Sequence, residues 1–337
     1  MIFRKIVFDG VLFGFLFSVL AIVFFVSSEE SLLNLPLVTG WALAFFAVGC
    51  GLSVFLKMRH VVTLGDVLFK TSSQTLQDRP WFRRFWGWQL LVSFAVALVV
   101  AIYKTEFSLI EILDENGFSG AMRLFKGLLD PNWNILPRAV LNIIETIFMA
   151  FLATTLAIPA AFVLSFLCAK NIMQGPFAKT IYLLLRTFLN VTRSVEALIW
   201  AIIFSVWVGI GPFAGMLALM IHSIASLAKQ YSEMVEAVEE GPIEAIESTG
   251  ANKLQTIWYA IVPQVLLPYI SFTVYRWDIN VRMATIIGLV GGGGIGTMLV
   301  QYQGQAMWRE VGCIIAVIAV VVWALDLASA HIREALK

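Results

Sequence analysis

Few residues in this chain are of types that do covalent chemistry, and those few are scattered. Its three histidines, His60, His222 and His331, form no HExxH pair, and its three cysteines, Cys50, Cys168 and Cys313, lie in or at the ends of apolar runs without CxxC spacing. A catalytic zinc site and a disulfide framework therefore lack support, and the cysteines read as small core hydrophobes. His222 beside Ser223 is a loose nucleophile–base pairing with no orienting acid nearby in sequence. The run Gly288-Leu289-Val290-Gly291-Gly292-Gly293-Gly294-Ile295-Gly296 suggests a phosphate cradle, but no Gly-Lys-Ser/Thr follows it as a P-loop requires. What remains is non-covalent chemistry. Arg276-Trp277-Asp278-Ile279-Asn280-Val281-Arg282 stands just before the glycines. Asp278 and Arg282 are four apart and can pair on one helix face. Arg276 lies elsewhere on that helix, and a guanidinium with spare donors suits an oxyanion, since its fork binds two oxygens at once. The alternative is snorkelling to a membrane interface.

The surroundings explain why a membrane enters the argument. Of the 337 residues, 60% are hydrophobic and 13% charged, with mean hydropathy +0.86. Soluble globular domains carry about 25% charged residues, so neither a disordered chain nor an ordinary soluble enzyme has this balance. Basic and acidic residues nearly cancel, 23 against 22, so no global charge points to nucleic acid. A bilayer core about 30 Å thick needs about 20 mostly apolar helical residues. Eight stretches qualify: 6–26, 37–56, 86–103, 139–168, 181–209, 213–229, 261–280 and 311–330. The expected fold is thus an all-α polytopic membrane protein. The first stretch, which no small-x-small cleavage site follows, reads as an uncleaved anchor. His222, Ser223 and Ser226 make the sixth only moderately apolar, so other helices are expected to shelter it from lipid. In the fifth, Arg186, Arg193 and Glu196 suggest an amphipathic cytoplasmic turn, with the true span starting near Val195. Lys and Arg place both termini in the cytoplasm. The loop 57–87 alone holds six (Lys57, Arg59, Lys70, Arg79, Arg83, Arg84), against none in 27–36, four in 104–138 (Lys104, Arg123, Lys126, Arg138) and two, Arg282 and Arg309, in 281–310.

The chain divides within 104–138, with residues 1–130 holding three plain spans and 131–337 holding every unusual feature. Alternating apolar and acidic residues at 109–114 suggest either a short helix along the membrane surface or a plain connector. The glycine run has apolar flanks, Ile286, Ile287, Ile295 and Leu299. It reads as a bend or re-entrant hairpin beside a translocation path, or as a flexible outer loop.

The loop 230–260 is acidic in its first half, with Glu233, Glu236, Glu239, Glu240, Glu244 and Glu247. Gly241-Pro242 opens a short helix at about 241–251, Gly250 closes it, Asn252 caps the next, and Pro263 marks membrane entry. An exposed helix between two spans suits a partner's groove, though a solvated connector would look the same. Glu244-Ala245, Gly250 and Pro263 resemble, at the correct spacing, the EAA signature of ABC-importer permeases: Glu-Ala-Ala, three residues, Gly, nine residues, Ile-x-Leu-Pro. Ile246, Ala260 and Val262 depart from it, all still apolar. The stretches "RWDINVR" and "IIGLVGGGGIG", with Glu145-Thr146, Ala169-Lys170-Asn171, Arg186-Thr187 and His222 through Glu236, further resemble permeases of phosphonate-type importers over about 130–337.

The resemblance implies a five-helix core of the type I ABC-importer permease and a transport subunit that is not itself an enzyme. Its cargo would be phosphonate, phosphite or a related phosphorus oxyanion. Glu244, Ala245, Gly250 and Pro263 would couple the permease to an ATPase. Arg276, Asp278, Asn280 and Arg282, with Gly291, Gly292, Gly293 and Gly294, would line the substrate pathway. The chain would bind no cofactor or metal itself, ATP and magnesium residing on ATP-binding cassette subunits. A periplasmic binding protein, a second permease copy and membrane lipid would be its other partners, in the bacterial inner membrane. Methionine or glycine-betaine permeases and ion-coupled secondary transporters remain alternatives, with Glu145 and Asp326 as isolated intramembrane acids for the latter.

Overall fold

A computed structural model describes residues 2–25, 35–59, 61–69, 81–108, 110–111 and 114–335. All regular structure among them is helical. Two compact units emerge, Met1–Gly117 and Phe118–Lys337.

The first unit holds helices α1 (Ile2–Phe25), α2 (Leu35–Met58), α3 (Leu64–Leu68) and α4 (Phe85–Lys104). Helices α1 and α2 meet along small residues: a side chain at Gly14 would strike the Phe46 backbone, and one at Gly49 the Gly10 carbonyl. The three spans expected to be plain are not. Asp9 of α1 is fully buried and accepts hydrogen bonds from Ser53 Oγ (3.1 Å), Thr63 Oγ1 (2.5 Å) and Gly65 N (2.9 Å), with Lys57 Nζ at 3.9 Å. A buried carboxylate needs such partners, and here they come from three other segments. No sequence spacing marks them.

The second unit is built on α6 (Leu136–Leu167), preceded by α5 (Glu115–Leu129). Then follow α7 (Pro176–Ser194), α8 (Ala197–Val208), α9 (Pro212–Glu236), α10 (Glu240–Ser248), α11 (Lys253–Thr256), α12 (Val262–Ile287), α13 (Gly294–Gly304) and α14 (Trp308–Ala335). Fully buried Ala150, Ala153, Ala157 and Ala161 form one stripe of α6, and Ala214, Ala218, Ala225 and Ala228 face inward from α9. In lipid there is little hydrophobic drive between helices, so small residues that let backbones approach set the packing. As expected, α9 is the most sheltered of the long apolar helices.

Three sequence expectations change. Among the described residues six helices are long and apolar enough to cross a membrane, seven if a bent pair is taken together. The expected count of eight is not reached, and the first stretch, 6–26, ends outside the described residues. Second, 181–209 is not one helix. It bends by 90° between α7 and α8, where Val195 and Glu196 are extended. Polar residues before the bend and an unbroken apolar run after it account for the division, and Trp200 Nε1 bridges it to the Thr192 carbonyl at 3.3 Å. Third, the helix within 104–138 is α5, which begins after the alternating stretch 109–114. Of the 109–114 stretch, Leu109, Ile112 and Leu113 lie outside the described residues. Helix α5 packs on the start of α14, where a side chain at Gly312 would strike the Leu128 carbonyl and Arg309 pairs with Asp130 at 3.0 Å.

The glycine run is a break in one path. Along α6, Ser165 meets Tyr269 (2.9 Å), Thr154 meets Asn280 (2.8 Å), Thr146 meets Ile295 N (2.9 Å) and Asn142 meets Met298 (3.7 Å). Helix α13 therefore continues in the direction of α12, which makes the run a bend and excludes a returning hairpin. Gly291, Gly293 and Gly294 hold φ of +88°, +78° and +68°, and Gly292 to Gly294 are buried. Such backbone is tolerated at membrane depth only inside protein.

Replacing Gly293 by Ala forces a left-handed alanine, costing about 1–2 kcal/mol, and also drives its Cβ to 2.7 Å from the Pro212 backbone. Gly250 has a similar φ, +83°, but open space around it. Thermal unfolding of the purified protein should show the larger loss for Gly293→Ala than for Gly250→Ala; equal losses would contradict the packing described.

Candidate functional site

Helix α10 spans nine residues and none of them is buried. It begins one residue before the expected Gly241, with extended Glu239 as its N-cap, and ends at Thr249 ahead of Gly250 in the left-handed region. Asn252 then caps α11 reciprocally with Gln255: Gln255 N donates to Asn252 Oδ1 (3.0 Å) and Asn252 N to Gln255 Oε1 (2.8 Å). A π-turn, Ile257–Ile261, joins α11 to α12, and Pro263 sits in the first turn of α12 directly after it. Glu244, Ala245 and Gly250 thus share one exposed elbow, and Pro263 stands a segment away.

The elbow has a fixed root. Glu236, in the last turn of α9, accepts from Arg186 Nη1 at 2.6 Å and from Lys170 N at 2.9 Å. Asn171 Nδ2 donates to the Val235 carbonyl at 2.7 Å, and Glu239 N to Gln264 Oε1 at 3.0 Å. These contacts tie α9 to α7, to the turn after α6 and to α12.

The Arg276–Arg282 stretch is not at the end of a span, as expected, but inside α12. Its polar residues split between two faces. Asp278 pairs with Arg282 at 2.6 Å as expected, and Arg282 also reaches Asp326 of α14 at 3.4 Å. On the other face Arg276 and Asn280 are buried. Arg276 Nε donates to Ser223 Oγ at 3.2 Å and Nη2 to His222 Nδ1. Asn280 Nδ2 donates to both Ser223 Oγ and Thr154 Oγ1 at 2.8 Å. This burial is not the snorkelling geometry.

The glycines lie further along. Gly294 stands level with Thr146, eight residues from Thr154 on α6, a rise of about 12 Å. Glu145 and Thr146 accept the N–H groups that open α13, from Gly294 (3.3 Å) and Ile295 (2.9 Å). The expected pathway residues therefore form three groups: a polar cluster, an ion triad with Asp326 and a glycine break. Thr154 and the role of Ser223 were missed. Their signal was only that polar residues sit in otherwise apolar helices, which does not say what they face. No group of three or more potential metal ligands occurs among the described residues.

A broken span, an exposed capped helix between two spans and a polar cluster sheltered by an alanine seam describe a transporter's membrane component. Residues 141–337 match the family described as "Binding-protein-dependent transport system inner membrane component", and the chain belongs to it. It is a permease subunit of an ABC importer, spanning the membrane several times, and not an enzyme. Membership implies an ATPase and a binding protein as partners. The chain is 32% identical over 257 residues to the phosphite transport system permease protein PtxC of Stutzerimonas stutzeri, covering 76% of this chain and 91% of that one. It is 44% identical over 119 residues, 35% of this chain and 98% of that one, to a putative cryptic phosphonate transport system permease protein, PhnE2, of Escherichia coli (strain K12). An inward-facing methionine ABC transporter structure superposes with TM-score 0.53 at 21% identity, covering 61% of this chain and 99% of that one, a likeness of fold alone.

The Asp278–Arg282 contact predicts energetic coupling. In a double-mutant cycle with Asp278→Ala and Arg282→Ala, unfolding should show non-additivity of about 1 kcal/mol, reduced because half of Arg282 is open to its surroundings. Strict additivity would refute the pairing.

Proposed function

We propose that this chain is the permease subunit of an importer for phosphite, phosphonate or a related phosphorus oxyanion. The observation that carries the reading is α10: a helix with no buried residue, held between two long helices whose roots are cross-linked, in a chain of this family. Two relatives named for phosphite and phosphonate transport support the cargo. A buried arginine in α12, with a fork matched to oxyanions, supports it independently.

In this reading α10 docks in a cleft of a cytoplasmic ATPase, with Glu244, Ala245 and Gly250 at the contact and Pro263 fixing the start of α12. ATP and magnesium reside on that partner. Closure of the ATPases pulls α10, and through Glu236, Arg186 and Gln264 the pull reaches α6, α7, α9 and α12 as a rigid-body change. A periplasmic binding protein delivers the anion, and the path runs past Arg276, Asp278, Asn280 and Arg282 toward Gly291, Gly292, Gly293 and Gly294. The excess of Lys and Arg in 57–87 supports cytoplasmic termini. Two copies related by a two-fold axis enclose the path, residues 131–337 form the transport core, residues 1–130 are an accessory membrane region, and lipid covers the apolar outer faces.

The test is reconstitution with the ATPase and binding protein in proteoliposomes. Phosphite or phosphonate uptake should require ATP. Glu244→Lys and Gly250→Val should each reduce uptake at least tenfold while ATP hydrolysis continues. Uptake at full rate in both variants would remove α10 from the coupling role.

A further inference from the structure

Helix α12 carries two arginines, and the structure treats them differently. Arg282 has two carboxylates within ion-pair distance, Asp278 and Asp326. Arg276, with 7% exposure, has none within that distance among the described residues. An unpaired buried guanidinium is costly, and within a membrane segment it marks an ion or substrate pathway. The hydrogen-bond partners of Arg276 are neutral: His222 Nδ1 and Ser223 Oγ accept from it, and Asn280 and Thr154 complete the cluster, while Glu196 acts on the guanidinium from beyond ion-pair distance.

The cluster is also unsaturated. Arg276 commits Nε and Nη2 to these acceptors, and no bond is made by Nη1, which is not sealed from the surface. Asn280 is fully buried, its Nδ2 donates twice, and its Oδ1 has no hydrogen-bond partner. The cluster thus holds one charged donor open to the surface and one bare acceptor sealed within it, joined through a shared Ser223 hydroxyl.

We infer that Arg276, Asn280, His222, Ser223 and Thr154 form an intramembrane site for a singly protonated oxyanion, which supplies the direct ion-pair partner that Arg276 lacks. The charged oxygen takes the free donor of Arg276, and the acidic O–H of the same anion donates to Asn280 Oδ1. His222 and Ser223 are positioning residues that aim the guanidinium, and Thr154 aims the amide. The Asp278–Arg282–Asp326 triad, in which two carboxylates already occupy the one guanidinium, holds α12 on α14 and does not bind the anion. That the anion is a phosphorus oxyanion rests on the reading proposed above; such anions keep an O–H near neutrality, whereas sulfate does not.

The test uses the purified importer complex with its ATPase subunits, the binding protein omitted. Equilibrium dialysis with radiolabelled methylphosphonate measures binding, with phosphite and sulfate as competitors. Wild type should bind saturably, phosphite should compete, and sulfate should be at least tenfold weaker. Asn280→Asp supplies Arg276 with an internal carboxylate, so the protein should remain folded while affinity falls at least tenfold. Arg276→Gln should lose binding, and Arg276→Lys should retain a part of it. Absence of saturable binding in wild type, or wild-type affinity in Asn280→Asp, overturns the site. Binding of sulfate alone, lost in Arg276→Gln, upholds an anion site and overturns the phosphorus reading.

Discussion

The seam between Leu136–Leu167 and Pro212–Glu236 is the contact on which the second unit depends. Its alanines remove side-chain bulk, so the two backbones approach closely and the polar atoms of Thr154 and Ser223 can meet a third helix. Between helices surrounded by lipid this approach is set by shape, because apolar area is equally satisfied by the acyl chains. A larger residue in the stripe would separate α6 from α9 and leave Asn280 without the two oxygens it bridges.

Backbone satisfaction is the second constraint. The break at Gly288–Gly294 frees buried N–H groups, and the structure returns acceptors to them from a different helix: Glu145 Oε1 and Thr146 Oγ1. The glycines are present because the backbone turns through the left-handed region and because neighbours stand where side chains would be. Holding α13 against α6 in this way keeps the interrupted segment directed past the polar cluster.

The exposed elbow and the buried polar cluster are segregated. The elbow Glu240–Ser248 is exposed and lightly attached, while its roots carry short charge-assisted bonds through Glu236. About 40 Å of uninterrupted helix runs from Lys253 to Asn280 at the usual rise. A displacement at one end can therefore reach the polar cluster without passing through a flexible linker.

The sequence by itself determined what depends on composition and on near neighbours. Membrane character follows from apolar runs, the elbow's end from Gly250 and the cap after it from Asn252, and the Asp278–Arg282 pair from a four-residue spacing, because each is a property of one segment. The family was legible in the elbow and glycine motifs for the same reason. Only the tertiary structure decided that Arg276 is buried without a carboxylate, that Thr154 and Ser223 meet Asn280, that Asp9 is held by Ser53 and Thr63, and that the path bends where a returning hairpin was conceivable. Each of these depends on which face of one helix meets another. That relation is set by close packing between distant segments, and no periodicity within a segment contains it.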